Sequence, residues 1–137
     1  MLKRIATVSI VLTLGVAGAA FAASLSTGTK VTLHRASGVG KVLATSRGRT
    51  LYLYTRDGRN KSRCTGSCAQ AWPPLKTKGK PVAARGVKKS LLGETSKHQV
   101  SYNGHPLYTF VGDSKAGQAN GEASDGFFVV TAAGKKK

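Results

Sequence analysis

Gly48-Arg49-Thr50-Leu51-Tyr52-Leu53-Tyr54-Thr55-Arg56-Asp57 returns 56 residues later, without a gap, as Gly104-His105-Pro106-Leu107-Tyr108-Thr109-Phe110-Val111-Gly112-Asp113. Gly, Leu, Tyr, an aromatic and Asp recur in register. A period of this size marks a duplicated supersecondary unit that buries its apolar face only against its copy, so two copies make one domain. Side chains two apart share a side of a strand. Tyr52 and Tyr54 therefore point one way and Leu51 and Leu53 the other, and Tyr108 and Phe110 lie opposite Leu107, Thr109 and Val111. Both faces are substantially apolar, which predicts strands covered on two sides, between layers or against the sister repeat.

The flanking residues extend this pattern. Val100-Ser101-Tyr102 runs into Asn103-Gly104, whose tolerance of positive φ makes a strong hairpin signal. Val42-Leu43-Ala44-Thr45, Ser46-Arg47-Gly48 and Thr50 to Thr55 have the same layout with a less ideal turn. Pro106 donates no ladder hydrogen bond and belongs at a strand start or edge. Lys30 to Arg35 predicts a first strand and Phe127-Phe128-Val129-Val130 a last one. Ala69-Gln70-Ala71-Trp72 predicts a short helical turn near Cys68-Trp72, stopped by Pro73-Pro74. Lys76 to Ser90, basic and punctuated by Gly79, Pro81 and Gly86, reads as a connector, and Lys135-Lys136-Lys137 as a frayed basic tail. The expected fold is a mostly β, small single domain of two tandem β-hairpin-type repeats, packed as a sandwich or barrel. Residues 23–40 supply an N-terminal segment and the first strand, 41–97 repeat 1 with its basic connector, 98–134 repeat 2, and 135–137 the tail.

The chain opens on Met1-Leu2-Lys3-Arg4, followed by an uncharged, mostly apolar stretch from Ile5 to Ala23. With the small-x-small pattern Ala20-Phe21-Ala22, this predicts a signal peptide over 1–22. An uncleaved anchor is the competing reading, since about 18 apolar residues just span a bilayer, but the small residues at the end of the stretch favour cleavage. No cysteine lies near the cut to carry a lipid. The expected product is a secreted protein, periplasmic, in the cell envelope or extracellular, with no permanent membrane span. About 115 residues remain, enough for one modest core, and a monomer is expected.

The net charge is +17, or +15 once Lys3 and Arg4 leave with the leader. Such a field attracts polyanions: teichoic acid, lipopolysaccharide, anionic headgroups or nucleic acid. Between Lys41 and Lys97 there are 14 Lys or Arg against Asp57 and Glu94, whereas from His98 to Gly134 only Lys115 faces Asp113, Glu122 and Asp125. The candidate anion-binding residues are accordingly Arg56, Arg59, Lys61, Arg63, Lys76, Lys78, Lys80, Arg85, Lys88 and Lys89. The alternative is a surface kept soluble by repulsion.

The recurring Tyr-x-aromatic-x-x-Asp pattern, Tyr52/Tyr54/Asp57 and Tyr108/Phe110/Asp113, resembles the signature of the bacterial "secreted repeat of unknown function" family, often described as predicted lipoproteins. Neighbouring residues agree in order: Cys64-x-Gly66-x-Cys68-Ala69, Trp72-Pro73-Pro74-Leu75, Tyr102-Asn103-Gly104-x-Pro106-Leu107-Tyr108, Gly117 and Asn120-Gly121. The resemblance covers about residues 40 to 134. It implies an envelope or extracellular setting and no established activity. Two departures stand out: there is no lipoprotein cysteine at the end of the leader, and Phe127 or Phe128 occupies the place of a common Trp.

Cys64 and Cys68 are the only cysteines, and an oxidising compartment favours a disulfide between them. Extended chain would hold their α-carbons about 13 Å apart, so Thr65-Gly66-Ser67 must turn. A redox-active pair is the sharper alternative, with Arg59, Lys61 and Arg63 near enough to lower a thiol pKa. His34, His98 and His105 have no zinc-ligand spacing, so no metal or cofactor is expected; haem or copper through His98 or His105 belongs to the redox alternative. Asp57 and Asp113 follow strands directly, where a carboxylate accepts backbone amide hydrogen bonds and locks a turn; the rival reading is a catalytic acid and base. The repeated aromatics read first as core and second as a stacking platform. The leading function is a non-enzymatic binding module for an anionic envelope polymer or nucleic acid. The alternative is a redox or electron-transfer accessory.

Overall fold

The computed structural model describes residues 28–137 together with Gly15 and Gly18. Those two glycines apart, the leader expected over 1–22 lies outside the described residues, as does the start of the segment 23–40. Among the described residues no helix is long and apolar enough to cross a membrane.

The chain is mostly β and built of short strands: β1 (Lys30–Ala36), β2 (Gly40–Thr45), β3 (Tyr52–Tyr54), β4 (Val82–Ala83), β5 (Leu92–Glu94), β6 (Val100–Tyr102), β7 (His105–Pro106) and β8 (Phe127–Val129). Among the described residues, one α-helical turn, α1 (Ser67–Ala71), and one 3-10 turn (Lys89–Leu91) accompany them. The strands form three small sheets ordered β2-β1-β4, β3-β8 and β5-β6-β7, and they close no barrel. The hairpin predicted at Asn103-Gly104 is present: β6 and β7 pair antiparallel, and both turn residues have positive φ, 51° and 79°. Pro106 sits in β7, at the edge of its sheet, where its missing N–H leaves no gap in the ladder.

The duplication is visible in the hydrogen bonding. Tyr52 and Tyr108, equivalent residues of the two copies, exchange both backbone bonds, N–H to C=O at 2.8 and 2.9 Å. Tyr52 also lies opposite Val129 and Tyr108 opposite Pro74. A reciprocal pair between equivalent residues sets a local two-fold at the centre of the domain. Trp72 and Phe127 stack across it at 3.8 Å and 4°. Phe110 stacks on the outer face of Trp72 at 4.3 Å, and Tyr54 on Phe127 at the same distance. The result is a four-ring stack, Tyr54–Phe127–Trp72–Phe110.

Alternation along β3 divides the interior as expected. Leu51 and Leu53 enter one buried cluster with Val31, Leu43, Val100, Tyr102, Leu107 and Val130. Tyr52 enters the other with Val42, Trp72, Tyr108, Phe127 and Val129. The central strands are thus covered on both faces, and apolar burial on two sides supplies the main driving force for a domain of short strands.

Three expectations are corrected. The connector Lys76 to Ser90 is more than a link: Val82–Ala83 within it forms β4, parallel to β1, and just past it Leu92–Glu94 forms β5 against β6. The tail is not frayed: Gly134, at φ 77°, folds the chain back so that Thr131 N–H reaches Lys135 C=O at 2.9 Å. There Lys136 Nζ lies 4.4 Å from the Phe128 ring centroid, and Lys137 Nζ donates to the Val39 carbonyl. Val111, expected on an apolar strand face, is 60% exposed, because Asp113 N–H turns back to Phe110 C=O at 3.1 Å and ends the alternation there.

Candidate functional site

The segment that follows β3 is a tight knot. Gly58 and Lys61 exchange backbone bonds at 3.0 and 3.1 Å, and Asn60, at φ 51°, donates its N–H to Gly104 C=O at 2.7 Å. This clips Arg59 over the Asn103-Gly104 turn, where a side chain at Gly104 would come within 3.0 Å of the Arg59 side chain. Glycine at 104 therefore serves both the positive φ and the close approach of Arg59.

Asp57 Oδ1 accepts the Arg63 N–H at 2.7 Å, and its Oδ2 accepts the Tyr108 hydroxyl at 2.6 Å. The second copy repeats the device with partners exchanged: Asp113 accepts Asn120 N–H at 2.8 Å and the Tyr52 hydroxyl at 2.6 Å. Each repeat's tyrosine is thus bound by the other repeat's aspartate. Arg49 adds a bond to the Asp113 carbonyl. The amides that the two carboxylates accept lie six and seven residues downstream, so the aspartates organise whole loops rather than the adjacent turn alone.

The two locks differ in exposure. Tyr52 and Asp113 are both buried, whereas Asp57 is half-buried and Tyr108 reaches Ser62 Oγ at 2.6 Å. Because the Tyr108 hydroxyl donates to Asp57, it accepts from Ser62. Burial, and then the hydrogen bond to a carboxylate, pushes both phenols well above the usual tyrosine range. Burial also raises the Asp57 carboxyl, against the pull of Tyr108 and Arg63. His105 is lowered by burial, with Asp57 opposing and Arg59 adding to the shift.

Ser62 opens on a cleft of about 590 Å³. One wall is the 59–65 segment with Arg59 and Lys61; the others are Pro74, Lys76 and the turn Thr95 to Gln99. That turn is folded by Thr95, whose N–H reaches Gln99 C=O at 2.8 Å and whose Oγ1 accepts the N–H groups of Lys97 and Gln99. The bridge between Lys76 and Gln99 brings the two basic segments together, and Lys76 Nζ donates to Lys97 C=O at 3.1 Å. Arg59, Lys61, Lys76 and Lys97 line the cleft with no carboxylate among the lining residues. Glu94 is turned to His98, 3.4 Å away.

All ten of the proposed anion-binding residues are exposed, but the fold gathers only Arg59, Lys61 and Lys76 at this cleft. Arg56 lines a different cleft, with Tyr54 and Trp72. Arg63 contributes its backbone N–H to the Asp57 lock. Lys78, Lys80, Arg85, Lys88 and Lys89 lie along the connector and line neither cleft. Lys97 completes the set and escaped the sequence reading, because only the pairing of Lys76 with Gln99 brings it near. Among the aromatics, Tyr52 and Tyr108 are wholly buried, and Tyr54 and Phe110 half-buried.

Cys64 and Cys68 are joined in a disulfide, with α-carbons 5.2 Å apart. Gly66, at φ 58°, makes the turn between them, and Trp72 N–H bonds Cys68 C=O at 2.8 Å. The bond therefore fastens α1 and the Trp72 turn against the core. Closing so short a loop stabilises by about 2 kcal/mol in the chain-entropy model. Replacing both cysteines by alanine is expected to lower unfolding free energy by about that amount in urea titration while leaving a cooperative transition.

A family model described as "Secreted repeat of unknown function" matches residues 35–76 and again 93–130, more than half of the chain. Arg59, Lys61 and Lys76 fall in the first match and Lys97 in the second, which begins at 93 rather than at the boundary of 98 expected from the sequence, so the cleft lies where the two matched segments meet. No curated protein and no solved structure matches the chain.

Proposed function

The chain belongs to the family of secreted repeats of unknown function, and from that premise we propose that it is a non-enzymatic binding module whose cationic cleft holds an anionic envelope polymer. The observation that carries the reading is that Arg59, Lys61, Lys76 and Lys97, drawn from both repeats, share one concavity with no acidic side chain. A concave surface lined by one sign of charge focuses the field and raises the local concentration of counter-ions. A merely solubilising charge needs no such focus. The lysines at 78, 80, 88 and 89 fit that blander role.

Nucleic acid is the less favoured polyanion. Single strands are held by bases stacked on aromatic rings beside basic grooves, and among the described residues no aromatic side chain lines this cleft. Its polar groups besides the cations are hydroxyls and amides, among them Ser62, Thr65, Ser96 and Asn60. These suit a polyol phosphate or another acidic glycopolymer recognised by charge and hydrogen bonding.

The test compares two charge reversals of equal size. Arg59→Glu with Lys97→Glu is expected to weaken binding of polyglycerol phosphate about tenfold or more, since like-charge juxtaposition costs several kcal/mol at a binding surface. Lys88→Glu with Lys89→Glu, away from the cleft, is expected to change it by about threefold or less through the general field. Equal losses from both pairs, measured by calorimetry at low salt, would return the charge to a diffuse role.

A further inference from the structure

We propose that the second cleft of this protein binds a neutral sugar ring, a pyranose unit of a glycan, against Tyr54. The site is distinct from the cationic cleft and stands independently of the reading above. It encloses about 560 Å³ bounded by Tyr54, Arg56, Ser67, Trp72, Asp125 and Phe127, within the range of about 300–1,000 Å³ of small-molecule sites. The disulfide loop is the wall that the two clefts share: Cys64 lines the first and Cys68 the second.

The wall is rigid and aromatic. Tyr54 is the terminal ring of the four-ring stack, parallel to Phe127 at 4.3 Å and 7°. It remains half-buried, whereas Phe127 and Trp72, the next two rings of the stack and also part of the cleft lining, are buried. An aromatic face braced in this way receives the C–H face of a sugar through its negative quadrupole, with no ordering of the ring on binding.

The rim is polar and balanced. Arg56 and Asp125 are both exposed, and the ion pair found among the described residues is His98 with Glu94, so neither rim charge is engaged by a protein counter-charge. One positive and one negative group offset each other locally, so this cleft lacks the one-sign lining of the first. A flat aromatic ligand would cover these groups without bonding them, at the desolvation penalty of unpaired polar groups. A pyranose presents hydroxyls at its edge that donate to Asp125 and accept from Arg56 and Ser67, with its apolar face on the ring.

The turn that carries Asp125 fixes its place. Asp125 and Gly126, at φ 53° and 84°, form an Asp-Gly turn closed by Phe127 N–H on Ser124 C=O at 2.8 Å, the pair of positive φ values that such hairpin turns require. The turn holds the Asp125 carboxylate at the edge of the cleft.

Trp72 is the single tryptophan and lines the cleft, so its emission reports occupancy. The full chain is titrated with cellotriose, maltotriose and chitotriose, following Trp72 fluorescence and backbone amide shifts. The expected result is a saturable change with at least one of them at millimolar concentration, unaltered by added sodium chloride, with shifts gathered at residues 54–56, 67–72 and 123–127. Tyr54→Ala abolishes it, and Asp125→Asn, which leaves the aromatic stack intact, weakens it about tenfold. The proposal is overturned if none of the three gives a saturable change, if the shifts gather at Arg59 and Lys97 instead, or if Asp125→Asn binds as tightly as the parent.

Discussion

Above about pH 10 the protein is expected to lose roughly 2.7 kcal/mol of stability for each further pH unit, the slope of two protons held by the native state and released on unfolding. Tyr52 and Tyr108 are the source. Both are wholly buried, each donates to a carboxylate at 2.6 Å, and burial followed by that hydrogen bond raises both phenols above the ordinary tyrosine value. A group whose folded value lies above its unfolded one contributes stability that is fully present below the unfolded value and is lost as pH rises toward the folded one. The unfolded phenol titrates near 10, so the loss begins there. Urea unfolding at a series of alkaline pH values measures the slope, and tyrosinate absorbance on the same samples should rise in step with unfolding for these two residues. Tyr52→Phe with Tyr108→Phe removes both titrations and should flatten that part of the profile, at a lower starting stability, because Asp113 is then left buried with one backbone donor. A parent protein whose stability is flat from about pH 9 to 12 contradicts the locks.

Phe127→Ala should be the most damaging single truncation of the core, at about 3–5 kcal/mol. Phe127 is buried and lies between Tyr54 and Trp72 in the stack, with Tyr108 edge-on at 5.3 Å. Its removal takes a contact from three rings and breaks the Trp72–Phe127 stack at the middle of the four. Phe127→Trp keeps an aromatic ring at this place and should recover most of the loss if the stack can widen. Tyr54→Ala, at the half-buried end, should cost less than Phe127→Ala, because part of its surface already meets solvent. Differential scanning calorimetry of the three variants gives the order, and a Phe127→Ala protein as stable as the parent would remove the stack from the account.

The period-two reading of residues 51–54 succeeded because apolar side chains on both sides of one strand meet two different cores, and the alternation records that directly. The Asn103-Gly104 hairpin was legible for a local reason, the need for positive φ at two consecutive residues. What escaped notice depends on contacts distant along the chain. Spacing shows a tyrosine and an aspartate in each copy, but it is identical whether each tyrosine serves its own aspartate or its twin's. β4 is two residues long and is held by β1 rather than by any pattern of its own. The ordering of Lys135 to Lys137 rests on backbone bonds beyond Gly134, which leave no hydrophobic trace. The candidate site was legible in part: Arg59, Lys61 and Lys76 stood out by charge density, whereas Lys97 sits alone beside His98 and gains meaning only from the bridge between Lys76 and Gln99.

The central claim, that four cations from two repeats form one polyanion site, meets its most direct test in a salt series. Binding of polyglycerol phosphate is measured from low to physiological salt, for the parent and for the variant with Arg59, Lys61, Lys76 and Lys97 all replaced by glutamine. Counter-ion release makes log K fall linearly with log salt, with a slope that grows with the number of phosphates neutralised. A steep slope is expected for the parent, and most of it should be lost in the variant, whose remaining surface lysines are unchanged. A variant that keeps the parent's slope and affinity would contradict it.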